Sequence, residues 1–253
     1  MTSTPGSAVP MGATMSPRNA VQRFTRAQRW VHRAVALLMG VCLLTAAMLY
    51  FGPFAVAVGR RHLIATIHLY AGLALPVPVL AGLLSGAFRT DLRLLNRFDA
   101  ADWEWIRRKD RRQGRVPIGK FNPGQKVNAA FVGGAILVMV GTGVVLGWPN
   151  PWPLRYRQGA TFVHDWLAAA IVVMTAGHIV FALRDPEARL GLRTGFVSLD
   201  WARREHPSWA ARQESPARPP HSQTATPGLD PAGEGTQEIP NNRRERAWPR
   251  SAE

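Results

Sequence analysis

The chain has 253 residues, a formal charge of +15 and a mean hydropathy near zero. Its one cysteine, Cys42, excludes a disulfide within the chain, a cysteine-ligated iron–sulfur cluster and a covalently attached c-type heme. The basic balance leaves two classes of protein open. One binds nucleic acid, and the other is a membrane protein whose basic loops set its topology.

Four long runs almost free of charged residues dominate the sequence, at residues 34–59, 63–88, 127–154 and 158–183. Each is longer than the roughly 20 residues that a helix needs to cross the hydrocarbon core of a bilayer. Buried helices of a soluble protein would carry polar residues at helical spacing, and these runs carry almost none. The sequence therefore predicts an all-α membrane protein, an up-down-up-down bundle of four transmembrane helices.

The two ends of the chain differ in composition from the middle. Residues 1–22 are rich in Thr, Ser, Pro and Gly, with no apolar segment typical of a secretory signal, and residues 210–253 are rich in Pro, Arg, Gln and Gly. Such segments bury too little apolar surface to fold. We expect a disordered N-terminal segment (1–22), a membrane domain (23–209) and a disordered tail (210–253).

Basic residues concentrate before the first run, between the second and third, and after the fourth. The other two connections hold only two arginines each, which are Arg60, Arg61, Arg155 and Arg157. This is the positive-inside pattern, so we expect a multi-pass membrane protein with both termini and the long middle loop in the cytoplasm. The charge then reflects topology and contact with membrane lipid, and no nucleic-acid partner is expected.

Histidine is costly inside a membrane and usually has a function there. Four histidines lie in or beside the runs: His32, His68, His164 and His178. The predicted topology places His68 and His164 near the outer face, and His32 and His178 near the inner face. His62 competes with His68 for the outer position, but six residues of separation put it on another helix face.

The spacing of His164 and His178 supports the pairing. Fourteen residues are just under four helical turns, so both lie on one helix face, about 21 Å apart. Ala168, Ile171 and Thr175 lie on the same stripe, and these are mostly small residues that leave room for a flat macrocycle.

Two imidazoles are a standard axial ligand set for an electron-carrying heme. We therefore expect two non-covalent b-type hemes, with His68 and His164 as axial ligands of the outer one and His32 and His178 of the inner one. A zinc site is less favoured, because its ligands would gather at one depth with Cys or carboxylate support. Histidines that only hydrogen-bond at the membrane interface stay open as an alternative.

Three segments resemble the formate dehydrogenase gamma subunit, a cytochrome b within the wider bacterial cytochrome b561 and nickel–iron hydrogenase cytochrome b family. Residues 119–126, Gly-Lys-Phe-Asn-Pro-Gly-Gln-Lys, are similar to the stretch before its third span, and residues 67–72, Ile-His-Leu-Tyr-Ala-Gly, to its second. The fourth run with its two histidines, followed by residues 205–209, is similar to its C-terminal third. Pro123 departs from the family, in which a small residue is expected.

The resemblance implies a subunit that anchors an iron–sulfur subunit and a molybdenum- or tungsten-containing catalytic subunit. It also implies that electrons pass through the two hemes to menaquinone or ubiquinone near the inner heme. Asn122 is a good N-cap and Pro123 suits the first helical position, so the third span is expected to begin there. The resemblance then gives quinone binding to Asn122, Gly124, Gln125 and His178.

Two other functions remain open. The chain is not expected to oxidise formate by itself, so whether to count it as an enzyme depends on its complex. A cytochrome b subunit of a hydrogenase or another oxidoreductase would have the same histidines. A heme-free membrane anchor or transporter belongs to a different class and gives no reason for two histidine pairs matched in depth.

Overall fold

The computed structural model describes residues 19–108 and 115–215. In chain order its elements are β1 (Ala20–Gln22), α1 (Arg26–Tyr50), α2 (Gly52–Val58), α3 (Arg61–Ala74), α4 (Pro76–Gly82), α5 (Gly86–Leu95), α6 (Ala100–Arg107), α7 (Pro123–Gly147), α8 (Leu154–Arg184), α9 (Pro186–Thr194), β2 (Phe196–Ser198), α10 (Leu199–Glu205) and α11 (Pro207–Glu214).

Four antiparallel spans form the bundle in the described part of the chain: α1, α3 continued by α4, α7, and α8. They are long and apolar enough to cross a membrane, and at most 11% of the most apolar stretch of α1, α7 and α8 is buried within the protein. Apolar surface of this extent is expected to face lipid rather than water. The predicted all-α bundle of four membrane helices is confirmed.

Helix caps set where the spans begin. Thr25 accepts a hydrogen bond from the backbone N–H of Gln28, whose side chain accepts one from the backbone N–H of Thr25. Asn122 and Gln125 form the same reciprocal capping box at the start of α7, with Pro123 in its first turn. The predicted start of the third span at Asn122 is therefore confirmed, and the other predicted starts are not.

The spans begin and end at other residues than those predicted from hydropathy alone. The first span is α1, which begins at Arg26 rather than at residue 34 because the Thr25 cap places charged residues inside the helix. It ends at Tyr50, and part of the remaining apolar run forms α2. The second span ends at Gly82 rather than at residue 88, because Ser85 caps a new helix, α5.

The outer link between the third and fourth spans is also longer than the hydropathy predicted. α7 ends at Gly147, and α8 begins at Leu154 after the prolines of that link. In the second span, Pro76 cannot donate a backbone hydrogen bond, and the helix divides there into α3 and α4 around Leu75. The division keeps the span long enough to cross the bilayer.

The spans pack as a chain of neighbours: α1 against α3 and α4, α3 against α7, and α7 against α8. Cys42, Leu75 and Ile136 form the buried centre of this packing. Glycine permits two close approaches. A Cβ on Gly147 would lie 2.8 Å from Leu69 of α3, and one on Gly82 would lie 2.8 Å from Val31 of α1.

We call the face where α1 and α7 begin and α4 and α8 end the terminal face. There β1 pairs antiparallel with β2, with Val21 opposite Val197. The second buried core packs behind this sheet, and its members are Val197, Trp201, Ala202, Trp209 and Ala210.

Residues of this core and its strand β1 lie inside both predicted disordered ends. Ala20–Gln22 form a strand although residues 1–22 were expected to be disordered, and α11 continues to Glu214 although the tail was expected to start at residue 210. Neither segment is apolar enough for its sequence alone to predict an ordered structure. β1 is held by its pairing with β2, and α11 by the packing of Trp209 and Ala210 in this core. Residues 1–18 and 216–253 of these predicted ends lie outside the described residues.

Candidate functional site

The four histidines of the spans lie in two pairs, one in each half of the bundle. His68 of α3 and His164 of α8 lie away from the terminal face, with ring centres 6.2 Å apart and ring planes at 67°. His32 of α1 and His178 of α8 lie toward the terminal face, with ring centres 6.2 Å apart and planes at 46°. These are the pairs that depth and spacing matched in the sequence, and their role as ligands stays a prediction.

His68 is oriented by the helix beside it. Its Nδ1 lies 2.9 Å from the hydroxyl of Thr45 and 3.2 Å from the carbonyl oxygen of Cys42, both on α1. The Thr45 hydroxyl donates to the carbonyl of Val41 at 2.7 Å. It therefore accepts from His68, which puts the ring proton on Nδ1 and leaves the Nε2 lone pair free for a metal.

His164 has the same arrangement on the other side of the bundle. Its Nδ1 lies 2.8 Å from the hydroxyl of Thr142 on α7, and that hydroxyl donates to the carbonyl of Val138 at 2.9 Å. Thr142 is therefore the counterpart of Thr45. Each histidine of this pair is held by a threonine of the preceding span, with Nε2 free.

His32 and His178 are less enclosed, and both are exposed on the protein surface. Within residues 19–108 and 115–215, neither ring has a hydrogen bond to a protein group. Arg33 follows His32 directly and Arg29 precedes it by almost one turn, so this pair lies among cationic side chains at the membrane edge. Arg29 and Arg33 both donate to the carbonyl of Arg193, in the last turn of α9.

The spacing of both pairs fits a metal ion held between two imidazoles. Metal–nitrogen bonds of about 2.0–2.1 Å on each side put the two ring centres roughly 6.3 Å apart. Both pairs have 6.2 Å. The described residues contain no group of three or more His, Cys, Asp or Glu side chains that would form a closed protein site. Two imidazoles per metal is the ligand set of a heme, which supplies the remaining four nitrogens itself.

The packing of the spans also fits a bound macrocycle. α8 packs along α7 and makes few contacts with α1 or α3, although its histidines face those on α1 and α3. Ile171 is buried on the stripe between His164 and His178, so this stripe faces the inside of the bundle. Gly143 of α7 lies beside His164, and a Cβ there would stand 3.8 Å from the ring.

The predicted quinone residues lie together at the first turn of α7. The Asn122 side-chain oxygen accepts from the backbone N–H of Gln125 at 3.0 Å, and the Gln125 side-chain oxygen accepts from that of Asn122 at 3.0 Å. Because the cap uses both side-chain oxygens, the groups that this turn offers a ligand are hydrogen-bond donors. They are the two side-chain amides and the backbone N–H of exposed Gly124. His178 lies on α8, toward the same face.

Sequence reasoning missed two sets of residues near these sites. Thr45 and Thr142 are isolated threonines in apolar runs. Each lies at the depth of a histidine in the next span, and this match in depth could have predicted the contacts. The second set is two buried ion pairs at the terminal face, Lys120 with Asp91 and Lys126 with Asp102. Their lysines bracket the capping box of α7 in the sequence, but the basic loop was interpreted only as topology.

Part of the chain is similar to proteins of known name. The chain is 30% identical over 97 residues to the formate dehydrogenase, nitrate-inducible, cytochrome b556(Fdn) subunit of Escherichia coli (strain K12), which covers 36% of the chain and 44% of that relative. The same subunit matches with the same values in Escherichia coli O157:H7 and Shigella flexneri. The chain thus spans under half the length of the curated relatives it matches.

The family is shown by a longer match, which also confirms the predicted membership of the wider bacterial cytochrome b561 family. Residues 23–192, most of the chain and all four histidines of the two pairs, match the family described as prokaryotic cytochrome b561. The chain therefore belongs to the prokaryotic cytochrome b561 family, as a multi-pass membrane cytochrome b of electron transport that binds b-type heme.

Proposed function

We propose that the protein is a di-heme cytochrome b subunit that anchors a formate dehydrogenase-type complex and passes its electrons to membrane quinone. The observation that carries this proposal is the presence of two histidine pairs with the same ring separation, 6.2 Å, in opposite halves of one bundle. A single pair would serve one heme, whereas two pairs at different depths provide a route across the bilayer.

The protein side chains give each heme its ligands and their orientation. His68 and His164 would hold one heme, and His32 and His178 would hold the other. When bound, such a heme would supply a one-electron carrier. Thr45 and Thr142 contact Nδ1 of the first pair's imidazoles, which leaves Nε2 of each ring free for a metal.

The distribution of basic residues supports the orientation. The terminal face carries the arginines before α1, those of the loop before α7 and those after α8, whereas the opposite connections carry few. By the positive-inside rule the terminal face is cytoplasmic, in a bacterial cytoplasmic membrane, with both chain ends on that side. His32 and His178 then hold the inner heme.

Quinone binds at the first turn of α7, beside the inner heme. The side-chain amides of Asn122 and Gln125 and the backbone N–H of Gly124 are donors suited to a quinone carbonyl oxygen. His178 lies toward the same face on the neighbouring helix. The quinone is menaquinone or ubiquinone, since the two share the carbonyl groups that these donors recognise.

The partners are an iron–sulfur subunit and a molybdenum- or tungsten-containing catalytic subunit, which carries out the oxidation of formate. The curated relatives bear the name of a formate dehydrogenase subunit, and this supports formate over hydrogen as the physiological donor.

His178→Ala tests the proposal in native membranes. It is expected to abolish formate-dependent quinone reduction and the inner heme signal, while formate oxidation with an artificial dye continues. His62→Ala is the matched control, because this exposed histidine of α3 belongs to neither pair. Loss of dye-linked activity together with quinone reduction would contradict this division of labour. Quinone reduction driven by hydrogen instead of formate would move the protein to a hydrogenase complex.

A further inference from the structure

A buried ion pair lies at the terminal face, and among the described residues its two side chains form no hydrogen bond with a backbone group. The ammonium of Lys120, in the loop before α7, donates to both carboxylate oxygens of Asp91 on α5, at 2.6 and 2.7 Å. The two side chains are 12% and 9% exposed. A buried ion pair seldom stabilises a fold more than apolar residues of the same volume would, so its presence is weak evidence of a structural role.

The charged and polar groups around this pair come from three segments. On α1, the Gln28 side-chain amide donates to Asp91 Oδ2 at 2.6 Å. Before α1, buried Arg23 donates to the carbonyl of Lys120 at 3.0 Å, and its charge acts on both members of the pair. The rings of Phe24 and Phe121 lie 5.3 and 5.5 Å from the Lys120 ammonium.

These surroundings bring the proton affinities of the two groups toward each other. Burial raises the pKa of the Asp91 carboxyl, and the nearby Lys120 and Arg23 charges and the Gln28 hydrogen bond offset only part of this rise. Burial likewise lowers the pKa of the Lys120 ammonium. A proton shared by two such groups moves between them at lower cost than between an exposed lysine and an exposed aspartate.

The position of the pair connects it to the first turn of α7. Lys120 is two residues before Asn122, so their Cα atoms are at most about 7 Å apart. Asp91 lies on α5, beyond the end of the second span on the terminal face, and its side chain is 9% exposed. The pair therefore lies outside the four spans, and its lysine is close in the chain to the proposed quinone site.

We propose that Asp91 and Lys120 relay a proton from the aqueous phase to the quinone at the start of α7, an inference that rests on the proposed function. Reduction of a quinone to a quinol takes two electrons, which the proposed electron route would supply, and two protons. For one of these protons, an N–H bond of Lys120 breaks as an O–H bond forms on a quinone carbonyl. Lys120 then takes a proton from water by way of Asp91.

The second ion pair of this face has a structural explanation and provides the matched control. Lys126 donates to Asp102 Oδ2 at 2.5 Å and to the carbonyl of Arg97 at 2.8 Å. Asp102 Oδ2 also accepts from the backbone N–H of Asp99 in the capping box that starts α6. A backbone N–H thus helps to fix Asp102, whereas in the described part of the chain the hydrogen bonds of both Asp91 oxygens come from side chains.

The test follows re-oxidation of the reduced hemes in the full-length protein, reconstituted in nanodiscs without oxygen. A short-chain ubiquinone accepts electrons and protons, whereas ferricyanide accepts electrons alone. With Asp91→Asn, oxidation by quinone is expected to slow by about 100-fold at pH 8, the lower end of general acid–base contributions, and to speed up as the pH falls. Oxidation by ferricyanide stays at the wild-type rate. Asp91→Glu restores the quinone rate, and Asp102→Asn keeps the wild-type pH profile.

Each alternative outcome has one meaning. Wild-type protein that contains heme but is not oxidised by quinone would overturn the proposed quinone site, and the relay with it. Wild-type protein that is oxidised by quinone, with Asp91→Asn equal to it at every pH, would overturn the relay alone. Equal slowing of Asp91→Asn with quinone and with ferricyanide would also overturn the relay, because it would show damage to the heme site rather than to proton delivery.

Discussion

Thr142 and Thr45 hold equivalent histidines, but the structure predicts unequal consequences of losing them. Thr142→Val removes the hydroxyl that lies 2.8 Å from His164 Nδ1, and valine keeps nearly the same shape. Thr45→Val removes the equivalent hydroxyl, 2.9 Å from Nδ1 of His68. In each case the hydroxyl also donates to a carbonyl of its own helix, so the two substitutions remove corresponding hydrogen bonds.

The difference comes from what remains after the substitution. His68 Nδ1 keeps the Cys42 carbonyl oxygen at 3.2 Å as an acceptor, whereas no second acceptor for His164 Nδ1 is found in the described part of the chain. A buried donor left unpaired costs about 1–3 kcal/mol. Loss of such a partner to a metal-bound histidine typically lowers metal affinity 10–100-fold. We expect a loss of this size for Thr142→Val and less than about fivefold for Thr45→Val.

Heme titration into apoprotein in detergent measures both effects. The absorbance of the bound heme gives its stoichiometry and dissociation constant, and the weakened site is expected to be the one that contains His164. His164→Ala, which removes the ligand itself, marks the full loss. Wild-type affinity in Thr142→Val would refute the idea that these hydroxyls orient the ligands. Equal affinity losses in the two valine variants would refute the compensating role given to the Cys42 carbonyl.

Two further predictions concern the core at the terminal face. Burial and the nearby Arg23 charge hold the pKa of His206 well below its ordinary value, so below about pH 6.5 the unfolded chain binds more protons than the folded one and stability falls as the pH falls. His206→Asn keeps a donor for the Gly119 carbonyl, 2.7 Å from Nδ1, and is expected to remove this acid sensitivity in thermal unfolding followed by tryptophan fluorescence. An unchanged pH dependence would show that another group titrates. Gly195→Ala is expected to destabilise by at least about 1–3 kcal/mol, because Gly195 has φ of 97° and a Cβ there would lie 2.6 Å from the Phe24 carbonyl. Gly159→Ala, where the added Cβ meets open space, is the control, and equal melting temperatures would contradict the prediction.

The spans and the histidine pairs were predictable because both depend on local periodicity. Hydropathy reports the four apolar runs, and the fourteen residues between His164 and His178 fix their common face whatever the rest of the bundle does. The start of the third span was also predictable, since Asn122 and Pro123 form a strong local signal. The start of α1 was missed because the Thr25 cap lies among arginines that hydropathy counts as loop.

The remaining features depend on contacts between distant residues. β1 forms only because β2, near the other end of the described chain, pairs with it. Asp91 and Lys120 are 29 residues apart, and in a loop with many arginines nothing in the sequence selects them as partners. Thr45 and Thr142 acquire a role only when the rotation of each helix turns their hydroxyls toward a histidine on the next one.

The most direct measurement is the number of hemes per chain in the purified wild-type protein. A pyridine haemochrome assay, with a dithionite-reduced minus oxidised spectrum, gives both the type of heme and its amount per protein. Two histidine pairs predict about two b-type hemes for each chain. One heme per chain in well-folded protein would contradict the proposed route across the bilayer, and none would contradict both histidine sites.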